Sequence, residues 1–122
     1  MQSERIKRYR KGLWAEMQAA CFLWCKGYRI LAWRYKTPVG EIDLVARKKS
    51  ITVFVEVKAR KTRDVGLDSV TASSWQRIAR AAAHFQRARP HKACRGWRYD
   101  LVVVTRGRLP YHQCDTYRPD RM

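Results

Sequence analysis

The stretch GEIDLVARKKSITVFVEVKAR, running from Gly40 to Arg60, decides the fold. Glu41–Arg47 alternates apolar with charged residues. Lys48–Ser50 is polar, and Ile51–Lys58 is a run of β-formers. That is the pattern of a β-hairpin. With a two- or four-residue loop centred between Lys49 and Ser50, Ile42, Leu44 and Ala46 lie opposite Val57, Val55 and Val53. One face is then wholly apolar. The other sets Asp43 across from Glu56 and Glu41 across from Lys58. A slip of one residue would set Ile42 against Glu56 and Asp43 against Val55, so burial of one face selects the first register. The turn lacks the glycine that tight hairpins favour, and a looser turn is expected.

That register carries a cost. Carboxylates directly opposite each other stand about 5 Å apart at Cβ, and like charges there are destabilising. Asp43 and Glu56 also share their face with Val45 and Phe54, which points to partial burial under a helix. Only ten acids occur in the chain, yet Glu41, Asp43 and Glu56 crowd one side of one hairpin. Local rules broken in this way tend to mark functional sites. A divalent cation would relieve the repulsion, and hard oxygen ligands suit Mg²⁺ or Mn²⁺. Lys58 follows Glu56 by two and points to the same face. A lysine there can neutralise charge on a metal-bound phosphate or help deprotonate an attacking water. The competing reading is a surface lattice of ion pairs among Glu41, Asp43, Glu56 and Lys58, which contributes little to stability.

Working outward, Arg5 to Lys26 reads as a helix, with Leu13, Met17, Ala20, Cys21 and Trp24 at helical spacing. Gly27 stops it. Tyr28–Tyr35 reads as a strand, Thr37–Gly40 as a turn and Arg60–Gly66 as a charged loop. Ser69–Arg89 reads as a second helix, with Val70, Ile78, Ala82 and Phe85 on one face and Pro90 at its end. Arg98–Thr105 is a strand apolar enough to be buried. The tail from Arg106 reads as irregular, with room for one short strand. The whole is one mixed α/β domain over residues 1–122 with a central sheet.

Twenty-seven Lys and Arg against ten Asp and Glu give a formal charge of +17. Such an excess repels itself and calls for an anionic partner. Nucleic acid is the foremost candidate, since each neutralised phosphate releases a counterion. Anionic membrane is the rival. The N-terminal MQSERIKRYRKGLW has no apolar signal core, so a cytoplasmic location is expected. The apolar runs are too short to span a bilayer. Cysteines 21, 25, 94 and 114 form no CxxC pair and read as reduced thiols.

The pair GEIDLVAR and ITVFVEVKAR resembles the YraN-like family of small bacterial proteins. That family is similar to the PD-(D/E)XK superfamily, which includes restriction-endonuclease-like nucleases and Holliday-junction resolvases. The resemblance implies a restriction-endonuclease-like mixed sheet flanked by helices. Asp43 would be the first acid of the pattern, with Glu56-Val57-Lys58 the second element. Pro38 stands further upstream of Asp43 than the short Pro-Asp pair of the pattern. The opening segment WAEMQAACFLWCKGYRIL matches the family's first helix and implies Glu16 as a further acid at the site. Arg98-Tyr99-Asp100-Leu101-Val102 resembles a later strand, in which Asp100 is structural and pairs an arginine. Ser73 and Ser74 stand where the family carries basic residues, with Gln76 or Arg77 as substitutes.

These readings converge on metal-dependent phosphodiester hydrolysis. Asp43 and Glu56 would hold the ion, with the Val57 carbonyl as a third ligand. Lys58 would stabilise or activate the water. Arg8, Lys11, Arg60, Lys61 and Arg77 would hold the backbone of a nucleic acid, DNA ahead of RNA, by contacts that position without reading sequence. Trp33-Arg34-Tyr35 and Trp97-Arg98-Tyr99 interleave rings with bases as stacking surfaces do, although core packing is the commoner fate of a tryptophan. Related resolvases suggest a homodimer. Two rivals stand beside this reading. One is a non-catalytic nucleic-acid-binding module with a vestigial site. The other is a peripheral membrane protein using the first helix, which is disfavoured because a helix packed on a sheet cannot also bury its apolar face in lipid.

Overall fold

A computed structural model describes residues 2–119. The chain runs α1 (Gln2–Cys25), β1 (Arg29–Thr37), β2 (Gly40–Lys48), β3 (Ile51–Ala59), α2 (Arg63–Asp68), α3 (Ala72–Ala88), β4 (Gly96–Val104) and β5 (Tyr111–Gln113). The five strands form one sheet in the order β1-β2-β3-β4-β5. Strands β1 to β3 make an antiparallel meander, β4 lies parallel to β3, and β5 returns antiparallel to β4. A parallel neighbour requires a crossover, and α2 with α3 supplies it. This is the restriction-endonuclease-like arrangement expected from the sequence.

The hairpin register is the one selected by burial. Leu44, Val45 and Ala46 pair with Val55, Phe54 and Val53. Alternate residues then feed two cores. Leu44, Ala46, Val53, Val55, Val102 and Val104 pack against Ala15, Ala19, Ala20 and Leu23 of α1. Val45, Phe54, Leu101 and Val103 pack against Trp75, Ile78, Ala82 and Phe85 of α3 on the other face.

Several expectations are corrected. The Lys49–Ser50 turn is tight, not loose: Lys48 pairs with Ile51, and Lys49 adopts φ 56° without being glycine. Ile42 does not share a layer with Leu44 but packs on the α3 side. The β2–β3 pairing stops at Leu44, and strict alternation lapses where the ladder ends. The charged segment after β3 contains α2, whose first turn is capped by Thr62 accepting from the Val65 N–H. Thr71 caps α3 in the same way through the Ser74 N–H, so that helix starts later than the sequence suggested.

The first helix buries a face that overlaps the one chosen by hydrophobicity only at Ala20. Met17 is 52% and Trp24 71% exposed, whereas Ala15, Glu16, Ala19 and Leu23 are buried. Small residues let the helix approach the sheet closely, leaving the bulky ones outside. Its end does match expectation. Gly27 at φ 91° lets its own N–H reach the Trp24 carbonyl and the Tyr28 N–H reach that of Leu23, which closes the helix. At the start of β2, a Cβ on Gly40 would lie 2.5 Å from the Arg77 carbonyl, so only glycine lets α3 sit there.

Candidate active site

Where the β2–β3 ladder ends, the two strands open a cleft of about 360 Å³. It lies beneath the N-terminal half of α1, whereas Val45 and Phe54 pack on the α3 side. Asp43, Glu56, Val57 and Lys58 form its floor, Glu16 its α1 wall, and Arg8, Lys11 and Arg60 its rim. Thus eight of the residues singled out in the sequence come to one place. Lys61 lies just outside, in the adjoining hollows. Arg77 is exposed on α3, against the start of β2 and away from the cleft lining.

The geometry of the acids follows from the splayed strands. Asp43 Oδ2 accepts the Val57 N–H at 2.8 Å, so the first acid is locked onto the main chain next to the second. Glu56 is half-buried beside it. Burial first, then hydrogen bonding to Asp43 and the Asp43 charge, push the Glu56 carboxyl up to about 9, against the lowering effect of Lys58. An acid in that condition holds a proton at neutral pH. Among the described residues, no ion pair joins Glu41, Asp43, Glu56 and Lys58 to one another, and the surface-lattice reading lacks its contacts.

Glu16 is held differently. Its Oε1 accepts the Trp33 Nε1–H at 2.8 Å and the Arg34 Nε–H at 2.7 Å. Arg34 reaches it from a left-handed backbone conformation, φ 52°, at the strand position facing Asp43 between the Trp33–Leu44 and Tyr35–Ile42 pairs. Backbone strain in a non-glycine strand residue costs about 1–3 kcal/mol and tends to be retained at functional sites. The sequence reading missed this role. It treated Trp33 and Arg34 as stacking candidates, and nothing in an alternating strand announces a left-handed residue. The companion motif is also structural: Trp97 stacks on Phe54, Tyr99 is in the core, and Arg98 grips Asp100.

The fold and cleft together define a class: a restriction-endonuclease-like α/β domain with facing acids at the open end of its central hairpin. The comparisons then place it. The model of the Uncharacterised protein family UPF0102 matches residues 15–104, and the chain belongs to that family. A UPF0102 protein of Rhizobium etli strain CIAT 652 is 50% identical over 114 residues, 93% of each chain. One of Rhodopseudomonas palustris strain HaA2 is 46% identical over 109 residues, 89% of this chain and 85% of its own. One of Nitrobacter winogradskyi is 44% identical over 108 residues, 88% and 92%. The matched stretch contains Glu16, Asp43, Glu56 and Lys58, while Arg8 and Lys11 precede it. Among the described residues, no helix is long and apolar enough to cross a membrane.

Proposed function

We propose that the chain is a divalent-metal-dependent endonuclease that hydrolyses phosphodiester bonds, in DNA ahead of RNA. The observation that carries this reading is the Asp43–Glu56 pair, two carboxylates forced together in a half-buried cleft with a lysine two residues on. The donor set fits a hard dication. Asp43 and Glu56 offer carboxylate oxygens, Val57 lines the same cleft with its carbonyl as the third donor, and the elevated Glu56 carboxyl reflects crowded negative charge that a cation would balance.

Mg²⁺ or Mn²⁺ bound there would polarise a phosphate and lower the pKa of a coordinated water. The side chains supply the rest. Asp43 is kept in place by the Val57 N–H and cannot swing away from Glu56. Glu56 would hold the ion in its ionised form, together with Asp43. Lys58 places a positive charge beside the phosphate and stabilises the attacking water. Glu16, steadied by Trp33 and Arg34, adds a carboxylate from the helix side. Arg8, Lys11 and Arg60 stand on the rim, where they hold backbone phosphates.

The test is cleavage of labelled single-stranded, duplex and branched DNA with Mn²⁺. Asp43→Ala and Glu56→Ala each lower the rate by more than about 100-fold, since loss of a direct ligand exceeds the 10–100-fold effect of losing its supporting partner. Cleavage that survives both substitutions rules out this site. Tight binding with no cleavage of any substrate favours the non-catalytic binding module instead.

A further inference from the structure

Two further hollows follow on from the acid cleft, each sharing lining residues with the one before it. Lys11, Ala59 and Arg60 line both the cleft and a second hollow of about 370 Å³. Lys61 and Thr105 line both that hollow and a third of about 650 Å³. The three adjoin one another around the carboxyl ends of β3 and β4, the parallel pair, where α/β sheets characteristically take their ligands; the second lies on the α1 face beside Val104 and the third on the α3 face beside Val103, so the groove they outline bends round the end of the sheet. Each added hollow carries a ring covered by a guanidinium. Arg106 lies over Trp14 at 5.8 Å in the second, and Arg63 over Tyr111 at 4.9 Å in the third. Arg108 adds charge to the third, and Asp64, 3.5 Å from Arg63, is the single acid among the residues lining these two hollows.

We infer that this groove is a track for a single-stranded stretch of nucleic acid leading to the acid cleft. The inference rests on the proposed function for its partner class and adds the substrate form. Positive charge alone would serve a duplex equally well. Rings paired with arginines would not, because duplex bases are already stacked on each other, whereas unpaired bases gain from an aromatic or guanidinium plane. DNA and RNA single strands share that chemistry.

The experiment measures fluorescence anisotropy of the full chain with labelled single-stranded DNA, single-stranded RNA and a blunt duplex, in EDTA so that no cleavage intervenes. At equal ionic strength, single strands bind more tightly than duplex. Tyr111→Ala weakens single-strand binding by roughly five- to hundredfold, the range for losing one base–ring stack, and changes duplex binding less than twofold. Arg106→Ala and Arg108→Ala, both exposed, lower the salt dependence by about one counterion each. Trp24→Ala, exposed at the far end of α1, changes neither. Circular dichroism confirms that each variant is folded. Equal affinity for duplex and single strand, or equal losses on both in Tyr111→Ala, overturns the groove. A chain that cleaves with Mn²⁺ yet binds both forms equally loses the groove and keeps the nuclease. Single-strand preference without cleavage keeps the groove and removes the nuclease.

Discussion

Two acid sites occupy the same sheet, one buried and one half-buried, and they are solved in opposite ways. At the β4–β5 edge, Asp100 is fully buried and fully engaged. Arg98 holds its two oxygens at 2.8 Å each, His112 Nε2 lies 2.6 Å away, and the Asp115 N–H adds a third partner. The Lys26 ammonium can only donate, so His112 Nδ1 accepts from it and the Nε2–H donates to Asp100. Burial pushes the Asp100 carboxyl upward, but these partners together hold it below the usual range. At the β2–β3 opening, Glu56 meets another carboxylate and rises to about 9. The chain has seventeen more positive than negative charges, so a shortage of bases is not the cause. Asp100, His112 and Cys114 even bring ligand-type atoms within 4.8 Å of one another. With Arg98 already on both oxygens, a cation has nothing to gain there. The proposed cation is accordingly placed at the Asp43–Glu56 pair, where charge is unbalanced.

The largest expected effect breaks this comparison directly. Asp100→Ala leaves the Arg98 guanidinium, only 26% exposed, without its partner and removes the tie between β4 and β5. A loss of about 3 kcal/mol in urea unfolding is expected, near the lower end for a broken buried pair. Glu56→Gln has the opposite sign. At pH 8 without metal it raises the unfolding midpoint, because the wild-type chain must protonate Glu56 to fold and the amide need not. If both substitutions destabilise alike, the two acid sites are equivalent and the distinction fails.

Next in size is the response to metal. Mn²⁺ at a hundredfold excess over its dissociation constant stabilises a one-site protein by roughly 2.7 kcal/mol. In thermal unfolding, wild type and Asp100→Asn are expected to shift upward by several degrees and Glu56→Ala not at all. A shift lost in Asp100→Asn and kept in Glu56→Ala would move the cation to the other site.

Stability against pH separates the sites more finely. Glu56 is raised from 4.5 to about 9, so the metal-free folded state binds the extra proton and stability falls as pH climbs through that window. The groups facing it from its own strand, β2 and α1 are Lys58, Asp43, Glu16, Arg8 and Lys11. Asp100 is lowered, so its contribution is complete above 3.8 and is lost as pH falls below it. Glu56→Gln flattens the alkaline limb, and Asp100→Asn flattens the acid one. Urea midpoints across the pH range, with EDTA present, read both.

How much of this was legible in the sequence depends on what each residue's neighbours are. The hairpin register was, because a two-residue period leaves one choice once a face must be buried. The Asp43–Glu56 encounter followed from it, and Asp100 with its arginine came from the resemblance. The inner face of α1 was legible only in part, at Ala20 and around Glu16. Alanines do the packing there and Met17 and Trp24 point outward, so hydrophobicity selected the outer stripe. The end of the β2–β3 ladder was hidden, since pattern gives a register but not where pairing stops. The hollows beyond Arg60 were equally hidden, because α2, β5 and the turn before β5 meet only in the folded chain.

Glu16 sits between the two solutions, and the smallest expected effect decides which it resembles. Like Asp100 it is buried and gripped by an arginine; like Asp43 it lines the cleft. Both of its donors fall on Oε1. Trp33→Phe removes one of them while keeping an aromatic ring, and is expected to cost about 1 kcal/mol. If Glu16 works in the cleft, freeing it from Trp33 weakens Mn²⁺ affinity by about tenfold or more and Glu16→Gln lowers cleavage by at least about tenfold. If Glu16 is merely a structural anchor for β1, Glu16→Gln costs stability and leaves single-turnover cleavage at saturating Mn²⁺ unchanged. The split between unfolding midpoint and cleavage rate in those two variants separates a third site carboxylate from a second Asp100.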